Sequence, residues 1–245
     1  MPALEWNHSY WGKDYGWSEG GDEWSVTWGG SEAQWFGSLY PRLHRMLPAR
    51  RILEIAPGRG RWTQYLIPMS SAFIGVDLAE SCVVECSKRF ANVPHAGFIQ
   101  NDGVSLAAVP DGSFEFIFSF DSLVHAELDV MQRYIPQIVA KLAPGGKAFL
   151  HHSNFAVCDD GGEQPPHGRA ASVSGEIVAD LVKQSGGRML VSELINWGSI
   201  DTIDCLSTFA RGDEPGPEHV RLTNPRYMEE ATLIHDFQSP YSRLT

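Results

Sequence analysis

Arg51-Ile52-Leu53-Glu54-Ile55-Ala56-Pro57-Gly58-Arg59-Gly60 is the stretch of sequence that decides the fold. Its first half is a short apolar run with β-branched residues, which predicts a buried strand. The run stops in a turn with two glycines, and a helical pattern follows the turn. A strand, a Gly-rich turn and a helix predict the opening unit of a nucleotide-binding α/β domain. Glycines in such a turn let a ligand approach the backbone, because they carry no Cβ.

The residues around the turn discriminate between two kinds of ligand. A dinucleotide places its pyrophosphate at the helix N-terminus and favours the pattern G-x-G-x-x-G. Gly58 and Gly60 fit this pattern, but Thr63 stands where the third glycine is expected. The carboxylate of Glu54, at the end of the strand, would repel a pyrophosphate but suits a ligand with an ammonium group. S-adenosylmethionine (SAM) has an ammonium group, a sulfonium and no phosphate, so a NAD-type oxidoreductase is the weaker alternative.

The pattern Glu54-x-Ala56-x-Gly58-x-Gly60 resembles motif I of class I SAM-dependent methyltransferases, D/E-x-G-x-G-x-G. Ala56 replaces the first glycine, and we expect this change to be tolerated because alanine adds only a methyl group. The resemblance implies an α/β fold with a doubly wound, Rossmann-like sheet of seven strands, of which the last is antiparallel. It also implies SAM as the cofactor, with these four residues at its binding site. The plain alternative is a strand–turn–helix unit that binds no ligand.

Length and composition limit the class of protein. The chain has 245 residues and a formal net charge of −11, and this length suits one α/β domain with additions. An acidic surface argues against nucleic acid as a partner, because nucleic-acid binding requires clustered Lys and Arg. The sequence shows neither a membrane-spanning apolar run nor a secretory signal pattern, and its four cysteines lack metal-binding spacing. We therefore expect a cytoplasmic protein that acts on a small molecule, has no membrane partner and can form a homodimer.

Residues 1–47 form an N-terminal cap ahead of the predicted domain at 48–212. Six of the eight tryptophans lie in the first 37 residues among Gly, Asp, Glu and Ser, so this stretch is neither a regular helix nor a strand. Disordered tails are poor in aromatic residues, which favours a folded cap. The rings either hold the cap on the domain or line the site, where aromatic faces pack on a sugar or another flat ligand. The six are Trp6, Trp11, Trp17, Trp24, Trp28 and Trp35.

Acidic residues follow the next two predicted strands. Asp77 ends the second strand, where a carboxylate can accept both hydroxyls of an adenosine ribose, and Leu78 would then flank the adenine. The plain alternative for Asp77 is a helix N-cap. After the third strand, the resemblance implies that Asp102 pairs with the adenine amino group and that the Gly103 backbone approaches the ring. An Asx turn explains Asn101-Asp102-Gly103 equally well.

Two later motifs extend the resemblance over residues 50–210. A fourth strand, Phe114 to Phe120, follows a sequence similar to the family's D-x-x-F-D-x-I/V, and its last residue, Phe120, lies at the edge where ligands bind. Leu142-Ala143-Pro144-Gly145-Gly146 is similar to the family's L-x-P-G-G turn, in which proline ends a helix and the glycines form the turn. The polar tail at 213–245 lies outside the resemblance, and only a short helix within 225–237 is suggested there.

Asp121 and His125 follow the fourth strand and are the first candidates for catalysis. They match the spacing of an Asp and a His in some small-molecule methyltransferases, the phosphoethanolamine type among them, in which the His pairs with an N-terminal Tyr. Tyr10 or Tyr15 could be that Tyr. A hydroxyl is a poor nucleophile, so a base is expected, and a histidine suits this task at neutral pH. The alternative is that His125 only packs against the following helix.

The end of the fifth strand carries two further histidines. Alternation places His151 and His152 on opposite faces, and His152, nearer the loop that follows, is the better catalytic candidate. No metal ligand is assigned, although the two histidines with Asp121 or Asp204 could hold a divalent metal. The long polar loop at 155–172 is expected to be a substrate lid, in which His167 and Arg169 are candidate contacts.

The acceptor is the least constrained part of the prediction. The Trp-rich cap and the polar lid suit a polyhydroxylated or aromatic metabolite, and a sugar or glycan hydroxyl is the leading candidate. An amine or a natural-product phenol comes next. A non-catalytic protein that binds SAM or a glycan is the remaining alternative.

Overall fold

The computed structural model of the protein describes residues 4–158, 166–212 and 216–243. The strands are β1 (Ala49–Ile55), β2 (Ser70–Asp77), β3 (Ala96–Gln100), β4 (Phe114–Ser119), β5 (Leu142–Ser153), β6 (Gly187–Trp197), β7 (Ile200–Arg211) and β8 (Val220–Asn224). They form one mixed sheet in the order β3-β2-β1-β4-β5-β7-β6-β8. Strands β1 to β5 are parallel, and β7 runs antiparallel between β5 and β6.

The sheet is centred on β1, as its apolar sequence predicts. Ile52 and Leu53 are fully buried on opposite faces, and β1 pairs with β2 on one side and β4 on the other. Strands that are covered on both faces carry continuous apolar runs, and parallel strands of this kind need helices on each side of the sheet. All parallel strands therefore end at one edge, where the turn after β1 meets the ends of β2 and β4.

Helices cover both faces of the sheet. The helices are α1 (Leu4–Ser9), α2 (Ser31–Gln34), α3 (Tyr40–Leu43), α4 (Thr63–Leu66), α5 (Glu80–Arg89), α6 (Leu128–Lys141), α7 (Gly175–Gln184) and α8 (Tyr227–Leu233). Helices α6 and α7 contribute to one apolar cluster, which also contains Leu53. The N-terminal segment, α4 and α8 contribute to the other cluster, in which Trp28, Trp35 and Tyr227 are fully buried. The core is therefore divided by the sheet, as in a doubly wound fold.

The strand count corrects the sequence prediction. Within the described part of the chain the sheet has eight strands, because Val220–Asn224 in the unplaced tail pairs in parallel with β6. Val220 and Leu222 are about half exposed, so this edge strand carries no buried apolar pattern in its sequence. The short helix suggested in the tail is found as α8, where Tyr227 packs against Trp28 and Trp197.

The N-terminal segment is built of short helical turns rather than one regular helix or a strand. After α1 come the turns Tyr10–Asp14 and Asp22–Trp28, and Trp35–Leu39 joins α2 to α3. Short turns of different pitch leave no regular periodicity in the sequence, which is why no single helical pattern covers this segment. Among the described residues, none of the helices is both long and apolar enough to cross a membrane.

Candidate functional site

A cavity of about 410 Å³ opens at the edge where the parallel strands end. Its base contains the turn after β1, the last residue of β2 and the residues after β4. The N-terminal segment covers the cavity with four of its tryptophans, and Trp62 and Trp197 contribute two more indole rings. Trp28 and Trp35 instead lie in the core, so the cap residues divide between the two roles that the sequence left open.

Asp77 connects β2 to the Gly-rich turn and lines the cavity. One carboxylate oxygen accepts a hydrogen bond from the Gly58 N–H at 2.9 Å, and the other accepts one from the Ala79 N–H at 2.8 Å. Burial raises the pKa of Asp77 to about 6, although these N–H groups favour its charged form. Asp77 therefore fixes the turn, and its position on the cavity surface also fits the predicted ribose contact.

The motif I turn needs the conformational freedom of glycine. Ala56 and Gly58 have φ angles of 55° and 57°, in the left-handed region that glycine favours. A Cβ on Gly58 would lie 2.8 Å from the Trp17 ring, and a Cβ on Gly60 would lie 2.7 Å from the Phe90 ring. Ala56 and Gly58 line the cavity, whereas Gly60 lies outside it and permits close packing of the turn on α5.

Glu54 does not face the cavity, which corrects the prediction that it contacts the ammonium group of the cofactor. The side chain is 1% exposed and accepts a hydrogen bond from the Thr63 hydroxyl at 2.5 Å. Burial raises the pKa of Glu54 to about 8. The strand-end acid of motif I thus connects β1 to α4 beneath the turn. The cofactor contact was predicted from the position of Glu54 in the sequence, which does not determine the direction of its side chain.

The Glu54→Gln variant is expected to remove one source of pH-dependent instability. The folded-state pKa of Glu54 is raised above the ordinary value of 4.5 to about 8, so stability is lost as the pH rises through this interval. Glutamine keeps an oxygen for Thr63 and cannot ionise. At pH 9 the variant should gain about 4 kcal/mol relative to the wild type, compared with the same difference at pH 5. Urea unfolding at both pH values measures this, and an equal difference at both would contradict it.

Leu78 and Gly103 lie together at the predicted adenine side of the cavity, whereas Asp102 does not line it. One carboxylate oxygen of Asp102 accepts hydrogen bonds from the N–H groups of Val104 and Ser105, which is the Asx turn. The prediction that Asp102 faces the adenine is therefore corrected. The Leu4 side chain contacts this region, since a Cβ on Gly103 would lie 2.6 Å from it.

His125 lines the cavity, and one of its two ring nitrogens is held by a hydrogen bond to the backbone. Nδ1 lies 2.8 Å from the carbonyl oxygen of Gly168, and this oxygen only accepts, so Nδ1 carries the proton. Burial and the Arg169 guanidinium lower the pKa of His125 to about 4, which keeps the ring neutral near pH 7. No hydrogen bond to Nε2 is found among the described residues, so its lone pair is available as a base.

The aromatic neighbours of His125 come from the cap. The Trp6 and Trp11 rings lie 6.3 Å and 5.1 Å from the imidazole, measured between ring centroids. Tyr10 lines the cavity and stacks on Trp6 at 4.7 Å, whereas the Tyr15 hydroxyl donates to Glu23 at 2.9 Å. Of the two predicted tyrosines, only Tyr10 therefore lies in the cavity lining.

Asp121 follows Phe120 at the end of β4, and both residues line the cavity. The Asp121 carboxylate accepts a hydrogen bond from Arg61 Nη2 at 2.8 Å, and both side chains are less than one tenth exposed. The sequence analysis missed Arg61, although it directly follows Gly60 at the end of motif I. A basic residue directly after the glycines lies at the same edge of the sheet, and this position could have indicated that Arg61 belongs to the site.

Neither histidine of β5 lines the cavity, and the two differ in their neighbours. His152 is fully buried outside the cavity, with Nδ1 2.9 Å from the Ser153 carbonyl oxygen and Nε2 2.9 Å from the Ser207 hydroxyl. The prediction that His152 is the catalytic member is therefore corrected. His151 lies on the cavity side, where its ring packs on Phe120 with centroids 4.6 Å apart. Its Nδ1 accepts a hydrogen bond from the Asp121 N–H at 3.2 Å.

Arg169 and Asp204 form a buried ion pair beside this histidine. Arg169 Nη2 donates to Asp204 Oδ2 at 2.9 Å, and His151 Nε2 lies 3.2 Å from the same oxygen. Burial opposes ionisation of Asp204, but Arg169 and His151 hold the pKa of this carboxyl well below its usual range. The Arg169 guanidinium lies 5.3 Å from the Trp197 ring centroid. Trp197 was missed, although it ends a predicted strand at the ligand-binding edge.

Only part of the predicted lid at 155–172 can be evaluated, since 159–165 lie outside the described residues. The segment from His167 to Arg169 lines the cavity. The Glu127 carboxylate accepts hydrogen bonds from the Ala171 and Ser172 N–H groups and from the Ser172 hydroxyl. This end of the segment is therefore attached to the domain at the start of α6.

A metal centre is not assembled by the residues considered for it. Across 4–158, 166–212 and 216–243, the structure brings together no group of three or more His, Cys, Asp or Glu side chains that could hold a metal ion. The cavity lining instead contains the imidazoles of His125 and His167, the Arg61–Asp121 ion pair, Arg169 with its partner Asp204 behind it, and several aromatic rings.

Comparisons with known proteins find a methyltransferase domain and similar folds. Residues 52–146 match a family described as a methyltransferase domain. A SAM-dependent methyltransferase from Clostridium acetobutylicum is 13% identical with a TM-score of 0.59, over 74% of this chain and 92% of that chain. N-methyltransferase NodS from Bradyrhizobium japonicum, in complex with S-adenosylhomocysteine, is 19% identical with a TM-score of 0.56, over 71% and 86%. The DhpI–S-adenosylhomocysteine complex is 15% identical with a TM-score of 0.58, over 87% and 97%.

At these identities, the similarity to solved structures demonstrates a shared fold. No curated protein matches the chain. The family match spans the motif I turn, Asp77, and Asp121 and His125, which follow β4 and line the cavity. The match of residues 52–146 to a methyltransferase domain, on a fold shared with SAM-dependent methyltransferases, supports a SAM-dependent methyltransferase with SAM as its cofactor.

Proposed function

We propose that the enzyme transfers a methyl group to a hydroxyl of a small molecule, with a sugar or glycan hydroxyl as the leading candidate. The observation that supports this most directly is His125, a neutral imidazole whose Nδ1–H is held by Gly168 and whose Nε2 is available at the cavity. A hydroxyl must lose its proton as it attacks, and a fixed neutral histidine is suited to accept that proton.

The residues of the cavity fit SAM. Gly58 carries no Cβ, so the ligand can approach the backbone of the turn. The buried Asp77 carboxylate beside it is positioned for the ribose hydroxyls. Arg61 and Asp121 form an ion pair at the end of β4, which complements the carboxylate and ammonium groups of the methionine part. When bound, SAM supplies an electrophilic methyl group on a positively charged sulfur.

His125 Nε2 accepts the proton of the acceptor hydroxyl as this oxygen forms its bond to the methyl carbon. Bound SAM would supply this methyl group, and its sulfur would keep the electron pair of the broken bond as S-adenosylhomocysteine is formed. Alignment of the acceptor supplies much of the rate in such a reaction. Here the rings of Trp6, Tyr10 and Trp11 restrict the acceptor on the cap side of His125.

An amine acceptor is the second candidate. The neutral imidazole could equally accept a proton from an ammonium group, and NodS, which has the same fold, is an N-methyltransferase. Aromatic faces also attract cationic groups. A hydroxyl remains the first choice because a hydroxyl depends more on a base than an amine that is already neutral.

An acceptor screen tests the proposed function. Neutral sugars, sugar acids, phenols and amines are incubated with enzyme and SAM, and release of S-adenosylhomocysteine is followed with EDTA or with added magnesium. We expect release with at least one hydroxyl compound and a methyl ether as the product. Turnover confined to amines would favour the second candidate, and SAM binding without methyl transfer to any class would favour a binding protein.

The Asp77→Asn variant is expected to bind SAM about 10- to 100-fold more weakly, a loss of about 1–3 kcal/mol. Asparagine keeps the size of the side chain but loses the charge and one of the two oxygens that accept from Gly58 and Ala79. Calorimetry with SAM measures the change. The matched control is Asp102→Asn, because Asp102 is exposed and does not line the cavity. Equal affinities for both variants would remove Asp77 from the cofactor site.

A further inference from the structure

Arg169 is a buried cation on the surface of the cavity, and its orientation is fixed on two sides. The residue is 4% exposed and lines the cavity beside Gly168, the residue that holds His125. Asp204 binds one edge of the guanidinium, with Oδ1 3.3 Å from Nε and Oδ2 2.9 Å from Nη2. The Arg169 Cζ lies over the Trp197 ring, 5.3 Å from the ring centroid.

The ion pair leaves a second hydrogen-bonding edge of Arg169 unused. A guanidinium has five N–H groups, and Asp204 takes one on Nε and one on Nη2. Among the described residues, no hydrogen bond from Nη1 is found. The end-on edge therefore offers parallel N–H groups from Nη1 and Nη2, which is the geometry that binds a planar carboxylate with two hydrogen bonds.

The position of Arg169 assigns this edge to the acceptor rather than to the cofactor. Arg61 directly follows the Gly-rich turn and is paired with Asp121, so it is the arginine closer to the motif that holds SAM. Arg169 instead follows Gly168, whose carbonyl oxygen is bound to the ring of His125. An anionic group at Arg169 is thus carried by the molecule whose hydroxyl lies at His125.

We propose that the methyl acceptor is a hydroxy acid whose carboxylate binds the end-on edge of Arg169. The description of the ligand as an acceptor rests on the proposed function. The rings of Trp6, Tyr10 and Trp197 in the cavity lining favour a cyclic body between the carboxylate and the hydroxyl. A sugar acid meets this requirement, as does an aromatic hydroxy acid.

Binding of matched pairs to the enzyme saturated with S-adenosylhomocysteine tests the proposal without requiring turnover. The pairs are glucuronate with glucuronamide and 4-hydroxybenzoate with 4-hydroxybenzamide, measured by calorimetry. We expect the acid of at least one pair to bind about 10- to 100-fold more tightly than its amide. Equal binding within both pairs, including no detectable binding, would overturn the proposal. Tighter binding of glucose 6-phosphate than of glucuronate would also overturn it, since the site would then select phosphate.

The variant for this test is the double change Arg169→Gln with Asp204→Asn, because removing Arg169 alone would leave the Asp204 charge buried without its partner. The preference for the acid should fall to within about threefold, and the affinity for S-adenosylhomocysteine should remain unchanged. The matched control is Arg42→Gln, which removes an arginine paired with Glu193 and Glu230 outside the cavity lining. This control should keep the preference.

Two results would overturn the assignment of Arg169 to the acceptor. The first is that the double variant still binds the acid more tightly than the amide. The second is that the double variant keeps this preference but binds S-adenosylhomocysteine more weakly than the wild type. Failure of the proposed function gives a different result. In that case the acid preference and its loss in the double variant are observed, but no hydroxyl is methylated in the acceptor screen.

Discussion

The His125→Asn variant should lose about 100- to 10,000-fold in the rate of methyl transfer to a hydroxyl acceptor. Asparagine can still donate an N–H to the carbonyl oxygen of Gly168, as Nδ1 does at 2.8 Å, but it has no basic nitrogen in place of Nε2. The fold and the SAM site should therefore be preserved while the base is lost. Single-turnover release of S-adenosylhomocysteine measures the rate, and calorimetry measures SAM affinity.

His152→Gln is the control for this variant. His152 is hydrogen-bonded to Ser153 and Ser207 and does not line the cavity, so its replacement can lower stability but not the rate per folded molecule. The folded fraction is obtained from circular dichroism of the same sample. A rate in His125→Asn within about threefold of the wild type, with SAM affinity retained, would show that another group accepts the proton.

The order of the central strands could be predicted from sequence because each local pattern agrees with the fold. The apolar run of β1, the turn after it and the Pro-Gly-Gly turn before the buried part of β5 are signals that depend on near neighbours in the chain. Asp77 and His125 line the cavity because residues that follow parallel strands meet at one edge of the sheet. Placement at an edge is thus encoded locally.

The direction of a side chain at that edge is decided by its hydrogen-bonding partners, which can be near or distant in the sequence. Glu54 turns beneath the motif because Thr63 donates to it, and Asp102 turns back to the N–H groups of its own loop. His151 and His152 alternate as predicted, but the antiparallel neighbour β7 supplies Ser207 and Asp204 and so decides which histidine lies beside Phe120. These partners are more than fifty positions away in the sequence. Motif spacing carries no signal for such pairs.

The Asp204→Asn variant should lower the free energy of unfolding at pH 7 by about 3–5 kcal/mol. Asp204 is fully buried and Arg169 is 4% exposed, so the change leaves a guanidinium in the core without a counter-charge. His151 also loses its ionic neighbour. The pKa of Asp204 is held well below its ordinary value of 3.8, so this stabilisation is complete at pH 7 and is lost only as the pH falls below that value.

Urea unfolding of a double-mutant cycle isolates the pair. Arg169→Gln together with Asp204→Asn should recover more than half of the loss, because a neutral pair can share hydrogen bonds without a buried charge. A loss below about 1 kcal/mol in Asp204→Asn would mean that water or another group compensates Arg169. A double variant no more stable than the single one would mean that charge is not the cause. Since Arg169 also lines the cavity, the stability of this pair and the proposed recognition of an acidic acceptor would depend on one side chain.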